Sequence, residues 1–293
     1  MPTPVPVLRP RKSHFIKLFD RTPPGVVCPH FYILSHANGC PYSCTYCYLR
    51  LSLRYIEQPV IFSNHDDLRR ETAEFLTNMI PTVVSCGSLS DGLAFDPVTN
   101  LTKLLIPLFA GQSRHTLLIV TKSVNIQNLL QLQPTPRVVV SFSVNSDTVS
   151  SHFEKGAPPP RERLAAARQL KAAGWRIRIR LDPLLPLANW QADYAAVIDE
   201  INALQPEIVT LLGFFYFPGI LQYIREDRLL FSFAREVGVD GRFRIPHPTR
   251  LAMYRSCIER LRVPALGLCK ETLKMYTDLA RDPHHVTCNC GTL

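Results

Sequence analysis

No apolar run in this 293-residue chain approaches the length of a membrane span, and residues 1–12 carry Pro and Arg where a secretory signal would carry its apolar stretch. Both absences lead us to expect a cytoplasmic protein with no membrane partner. Acidic side chains are in short supply: 24 Asp and Glu against 33 Lys and Arg leave a formal charge of +9. Such a balance favours a polyanionic partner such as DNA and is silent on fold. The basic residues concentrate locally at 50–54, 161–168 and 176–180, and solvated faces account for part of them. No internal repeat or low-complexity linker interrupts the chain, which argues against independently folding domains. A second C-x2-C pair is also missing, so the two knuckles of a zinc ribbon are not present.

What is present is a hydrophobic content of 46%, enough for one large core. Short β-branched and aromatic runs alternate with amphipathic stretches, the pattern of βα units on a parallel sheet. Strands are expected near 31–35, 82–86, 117–121, 137–143, 176–181 and 208–213. Helices are expected near 66–79, 99–109, 125–132, 160–173 and 191–204. Six strands with five connections predict an α/β fold, a partial (β/α)6 barrel of the TIM type, spanning 31–213 after an N-terminal segment at 1–30. From 214 to 293 a C-terminal α/β extension is expected to pack across the barrel's open side, with a helix at 248–262, a strand at 265–268 and a helix at 271–280. In such barrels ligands gather at the C-terminal strand ends.

Cys40, Cys44 and Cys47 form a C-x3-C-x2-C array in one aromatic-flanked loop. Three thiolates on one loop hold three irons of a [4Fe-4S] cluster and leave the fourth open to a small molecule, unlike a four-thiolate electron-transfer site. Three unrelated core cysteines are the plain alternative. An oxygen-sensitive cluster requires reducing conditions, so the nine cysteines are not read as a disulfide framework.

The spacing resembles the signature of the radical S-adenosylmethionine (SAM) superfamily. The run Cys44-Thr45-Tyr46-Cys47-Tyr48-Leu49 is similar to the cluster loop of spore photoproduct lyases, which reverse a thymine-dimer lesion in DNA. Ser90-Asp91, Thr121-Lys122, Ser143-Val144-Asn145, Phe153-Glu154-x-Gly156 and Arg163-x3-Ala167 recur in that family's order, and the likeness covers about residues 39–190. It implies that Cys40, Cys44 and Cys47 hold the cluster. It also implies that Lys122 and Ser143 meet the carboxylate of SAM, Ser90 and Asp91 its ammonium, and Asn145 its ribose, while Tyr46 and Tyr48 relay a hydrogen atom. For Ser90, Asp91, Ser143 and Asn145 a helix cap or turn is the alternative. A reductant such as flavodoxin or ferredoxin is the implied electron donor, and carbon–carbon bond cleavage the implied reaction.

Three departures stand beside these matches. The family's hydrogen-donating cysteine falls on Ser88, whose O–H bond is too strong to serve. Cys86, two residues earlier on the strand and so on the same face, is the candidate substitute, with a small buried core residue as its alternative. The segment before Cys40 is short, and Cys269, Cys288 and Cys290 stand where a lesion-inserting hairpin is expected. Those three thiols, with Cys257 or His285, are a candidate auxiliary iron–sulfur site or plain core; Cys28 is left unassigned. A peptide-modifying radical SAM enzyme with a recognition partner is the second reading, and a non-catalytic metal-binding module the third.

Overall fold

Eight strands build the main sheet of the computed structural model, which describes residues 5–224 and 227–291. Residues 1–4, 225–226 and 292–293, parts of the expected terminal segments, lie outside the described residues. In chain order the strands are β1 (Ile16–Phe19), β2 (Phe31–Leu34), β3 (Val83–Cys86), β4 (Thr116–Thr121), β5 (Val138–Val144), β6 (Arg176–Leu184), β7 (Val209–Gly213) and β8 (Leu266–Leu268). Each pairs with the next, so spatial order follows chain order. Strands β2 to β8 are mutually parallel, and β1 is an antiparallel edge on β2. Parallel strands covered on both faces read as near-continuous apolar runs, which is why all six expected strands are found.

The sheet does not end at residue 213. β8, expected within the C-terminal extension, is its seventh parallel strand, paired Val209 to Leu266 through Leu211 to Leu268. Helices α1 (His65–Phe75), α2 (Leu101–Ala110), α3 (Pro160–Ala172), α4 (Trp190–Leu204) and α5 (His247–Arg260) form the longer helical elements. α1 stops at Phe75, short of the expected 79, because the Thr77 hydroxyl and the Asn78 amide donate back to the carbonyls of Glu74 and Phe75. The expected helix at 271–280 begins only at Leu273, since Glu271–Thr272 pairs antiparallel with Val26–Val27.

Alternation along the strands separates two apolar layers. Leu34, Val84, Cys86, Leu117, Ile119, Val140, Ile177, Ile179 and Leu211 belong to the main core, which also contains the buried sides of α2, α3 and α4. Phe31, Val83, Leu118 and Val139 belong to a second, smaller cluster together with Cys288 and Cys290. The last described residues therefore fill the barrel interior. Among the described residues no helix is long and apolar enough to cross a membrane.

Candidate active site

A cavity of about 280 Å³ opens at the C-terminal ends of the strands. Its wall carries Cys40, Cys44 and Cys47 from the loop after β2. That loop is held by a short antiparallel pairing of Ser43–Cys44 with Glu154–Lys155 and by the Thr45 N–H, which donates to the Phe153 carbonyl at 2.8 Å. Arg50 braces it from outside, donating to the carbonyls of Ser43 and Cys44 at 3.1 and 3.2 Å. All three thiols are free. Burial pushes Cys44 up to about 12 even with Lys122 nearby, so a thiolate there needs a bound cation to be stable. The donor set suits an iron–sulfur cluster: three soft thiols on one loop facing one cavity. Among the described residues no three ligating side chains yet have metal-binding geometry; the thiols share a cavity wall rather than a single point.

Behind the loop lies a buried ionic cluster centred on Glu154. The Tyr46 hydroxyl donates to one carboxylate oxygen, which also lies 3.6 Å from the Lys122 ammonium. The other oxygen takes Arg163 at 2.5 Å and the Ser150 hydroxyl at 3.1 Å. Burial works to raise Glu154, but Lys122, Arg163 and the Tyr46 hydrogen bond outweigh it and hold the carboxyl below its ordinary range. Burial likewise opposes the charge on Lys122, and Glu154 and Cys44 reverse the balance in favour of the ammonium. In the sequence Glu154 and Arg163 stand out only as matches to the family's order, with no role of their own. Glu154 is a carboxylate shared by two cations, and only their convergence in space reveals it.

The residues expected to hold SAM divide into two groups. Lys122, Ser90 and Ser143 line the cavity, and the buried Ser90 hydroxyl has no hydrogen-bond partner among the described residues. Asp91 also reaches the wall, and both its oxygens accept hydrogen bonds from the protein. One accepts from the N–H groups of Leu93 and Ala94 and the Thr121 hydroxyl, the other from the Lys122 N–H at 2.6 Å. It shapes the loop and fixes the backbone of Lys122, and the second oxygen, with one donor on it, keeps acceptor capacity toward the cavity. Asn145 is fully buried away from the cavity: its amide donates to the Pro183 carbonyl, and its oxygen accepts from the Ser146 N–H and the Tyr194 hydroxyl. It holds the end of β6 at Pro183 in place of reaching a ligand. Tyr48 lines the cavity with its hydroxyl on the Ser88 carbonyl.

Cys86 is not brought to the cavity. It lies in the outer apolar layer at 1% exposure, its thiol 3.3 Å from His36 Nδ1. The expectation failed because β3 ends at Cys86, and Gly87, at φ +119°, breaks the alternation that would put residues 86 and 88 on one face. Only glycine fits there, since a Cβ would meet the Val120 carbonyl oxygen at 2.4 Å. Beyond the three of the cluster loop, the thiols that reach the cavity are Cys28, Cys269, Cys288 and Cys290. Cys257 is buried in the main core, and His285 is exposed beside Asp282.

The basic run at 176–180 is largely internal. Arg178, 2% exposed, donates to the Asn289 carbonyl, and Arg180 donates to Cys290 Sγ at 3.0 Å. The aromatic 214–217 stretch is mostly core: Phe214 and Tyr216 are buried, and Arg242 sits over the rings of Phe215 and Phe217.

The family model described as spore photoproduct lyase matches residues 19–216. Among curated proteins, the spore photoproduct lyase of Geobacillus sp. (strain Y412MC61) is 27% identical over 185 residues, covering 62% of this chain and 53% of that protein. That of Bacillus subtilis (strain 168) is 25% identical over 193 residues, covering 65% and 55%. The chain thus matches about half the length of these relatives. A solved spore photoproduct lyase complexed with dinucleoside spore photoproduct has the same fold, at a TM-score of 0.75 and 22% identity over 89% of this chain and 81% of that one.

Proposed function

Since this chain belongs to the spore photoproduct lyase family, we propose that it is a radical SAM carbon–carbon lyase acting on a thymine-dimer lesion in DNA. The observation that carries this reading is that Cys40, Cys44 and Cys47 open on the same cavity as Lys122 and the unpartnered Ser90 hydroxyl. Cys40, Cys44 and Cys47 would hold a [4Fe-4S] cluster. When bound and reduced, by a donor of the flavodoxin or ferredoxin class, it supplies the electron that splits SAM to methionine and a 5'-deoxyadenosyl radical.

The chain's own residues do the rest. Lys122 presents a permanent ammonium to the carboxylate of SAM, and the Ser143 hydroxyl joins it. Ser90 offers a free, desolvated hydroxyl to the ammonium end. Glu154 keeps Lys122 charged and fixes Tyr46 beside the cluster loop, the position from which Tyr46 and Tyr48 would relay a hydrogen atom. Walls made of Val120, Leu212, Phe214 and Phe215 exclude water from a reactive carbon radical. Residues 31–213 carry this machinery, the segment 214–293 completes its wall, and a reducing cytoplasm preserves the cluster.

The test is anaerobic reconstitution with iron, sulfide, SAM and dithionite in the presence of dinucleoside spore photoproduct. Recovery of thymidylyl-thymidine together with 5'-deoxyadenosine is expected. Deoxyadenosine without repair would move the substrate to another class, a precursor peptide included, and no deoxyadenosine would overturn the radical SAM reading.

A further inference from the structure

Inside this molecule arginine is matched with acid. Among the described residues the buried arginines are Arg163, Arg178, Arg242, Arg244 and Arg250. Arg163 faces Glu154, Arg178 faces Glu207, Arg242 and Arg244 share Asp240, and Arg250 faces Glu271, each within 3.4 Å. Arg180 breaks the pattern. It lines the cavity, as does Asp182, yet it forms no ion pair with a carboxylate among the described residues. Its Nη2 donates to Cys290 Sγ at 3.0 Å, and its Nε is buried with no hydrogen-bond partner. Nε of Arg242, Arg244 and Arg250 also lacks a hydrogen bond, but those guanidiniums have a carboxylate beside them. A buried cationic N–H without an acceptor is costly, and at a cavity wall it calls for a partner from outside the chain.

The guanidinium is held in place from two sides. In the register of β5 and β6, Arg180 stands beside Ser143, next to the wall read as the SAM site. Its sulfur acceptor belongs to the tail, which Asn289 locks. The Asn289 side-chain amide donates to the Ile179 carbonyl and the Thr210 hydroxyl, its side-chain oxygen accepts from Ser141, and its own carbonyl accepts from Arg178. The tail lies so flat on β8 that a Cβ at Gly267 would stand 2.0 Å from the Thr287 carbonyl oxygen. Lys270, directly after Cys269, puts a second cation on the cavity wall, its ammonium 5.3 Å from the centre of the Phe19 ring. Lys122, the third cation of the wall, already has Glu154 at 3.6 Å.

We propose that Arg180, with Lys270 adding positive charge, binds the phosphodiester that joins the two nucleotides of the lesion. The proposal rests on the thymine-dimer reading and adds to it a point of recognition. Thymine and deoxyribose are uncharged, so the phosphodiester is the one anionic group between two linked thymidines. The other anion brought to the cavity, the carboxylate of SAM, falls to Lys122 and Ser143. The free Nε–H and the N–H groups beside it offer a planar fork that matches two phosphate oxygens, which an ammonium cannot do. Val120, Leu212, Phe214 and Phe215 on the same cavity lower the local dielectric and strengthen such a bond. A phosphate anchored beside Ser143 fixes where both thymines stand relative to SAM.

Equilibrium binding separates this subsite from the chemistry. Spore photoproduct is offered as the dinucleotide, which has the phosphodiester, and as the dinucleoside, which lacks it. The full chain carries cluster and SAM but receives no reductant, so nothing turns over. Isothermal titration calorimetry should show the dinucleotide bound roughly 10- to 150-fold more tightly, the range of a charge-assisted hydrogen bond. Arg180→Gln should bring that ratio close to one, and Arg180→Lys should keep only part of it. Circular dichroism checks that the variants fold; if the glutamine variant does not, the wild-type ratio and Arg180→Lys decide. Equal wild-type affinities for the two forms would overturn the phosphate subsite and leave the lesion reading standing. So would a ratio undiminished in a folded variant, the result expected of a guanidinium that serves the cluster or SAM. Binding of neither form would overturn both.

Discussion

The Tyr46 hydroxyl donates a hydrogen bond to the Glu154 carboxylate, tying the three-cysteine loop to the group that also neutralises Lys122 and Arg163. Loop geometry and the charge state of the candidate SAM-binding lysine therefore depend on one buried carboxylate.

Replacing it should be costly. Glu154→Gln keeps the volume but leaves two buried cations without a counter-charge, and loss of roughly 3–5 kcal/mol is expected. Urea unfolding of the two proteins at neutral pH measures it. The pH dependence has a fixed sign: because folding lowers the pKa of Glu154, its contribution is fully present above the unfolded carboxyl value of about 4.3 and is lost as pH falls through the lower folded value. The variant should accordingly lose less stability than the wild type on acidification. Parallel acid profiles would remove Glu154 from this role.

Cys40→Ala, Cys44→Ala and Cys47→Ala should each abolish deoxyadenosine formation together with the iron signal. Lys122→Ala should separate the two properties, leaving iron content intact while weakening SAM by roughly 10- to 150-fold, the worth of one charge-assisted hydrogen bond. Equilibrium binding of SAM to the reconstituted proteins provides the comparison. Lost iron with unchanged affinity would make Lys122 a structural partner of Glu154 alone.

Cys86→Ala should behave as a core truncation. With its side chain in the outer layer against His36, we expect about 1 kcal/mol of destabilisation and unchanged products. Chromatography of the reaction mixture would detect the aberrant products that follow the loss of a hydrogen donor, and finding them would restore Cys86 to the chemistry.

DNA binding should weaken linearly on a log–log salt scale, because each neutralised phosphate releases counterions. Arg163 and Arg178 cannot contribute phosphate contacts from the interior, so the slope must come from the exposed basic residues and from Arg180 on the cavity wall. Fluorescence anisotropy with a duplex oligonucleotide across a salt series tests this, and binding that is undetectable even at low salt would exclude DNA as the substrate carrier.

How far the molecule was legible follows from which contacts are local. The six barrel strands could be read because their pattern is written in consecutive residues, and the cluster loop because its three cysteines lie within eight positions. Arg176, Arg178 and Arg180 look like a solvated strand face, yet their partners are Glu207, Asn289 and Cys290, supplied by later parts of the chain. Cys28 carried no signal because the strand that seats it beside Cys269 is formed by residues 271–272. Cys86 was misplaced by a single backbone angle at Gly87, which strand alternation does not encode.

The insertion of Asn289 between β5, β6 and β7 also sets a timetable for synthesis. Ser141, Arg178 and Thr210 face the barrel interior, and the Ser141 and Thr210 hydroxyls and Arg178 Nη1 take up their bonds to the tail only when residue 289 arrives. Folding of β2 to β7 on the ribosome therefore yields an interior with unsatisfied donors, and residue 289, translated after all of these strands, is needed to complete it. Whatever delivers iron and sulfide to the cluster loop meets a finished cavity only after residue 289 has emerged and packed.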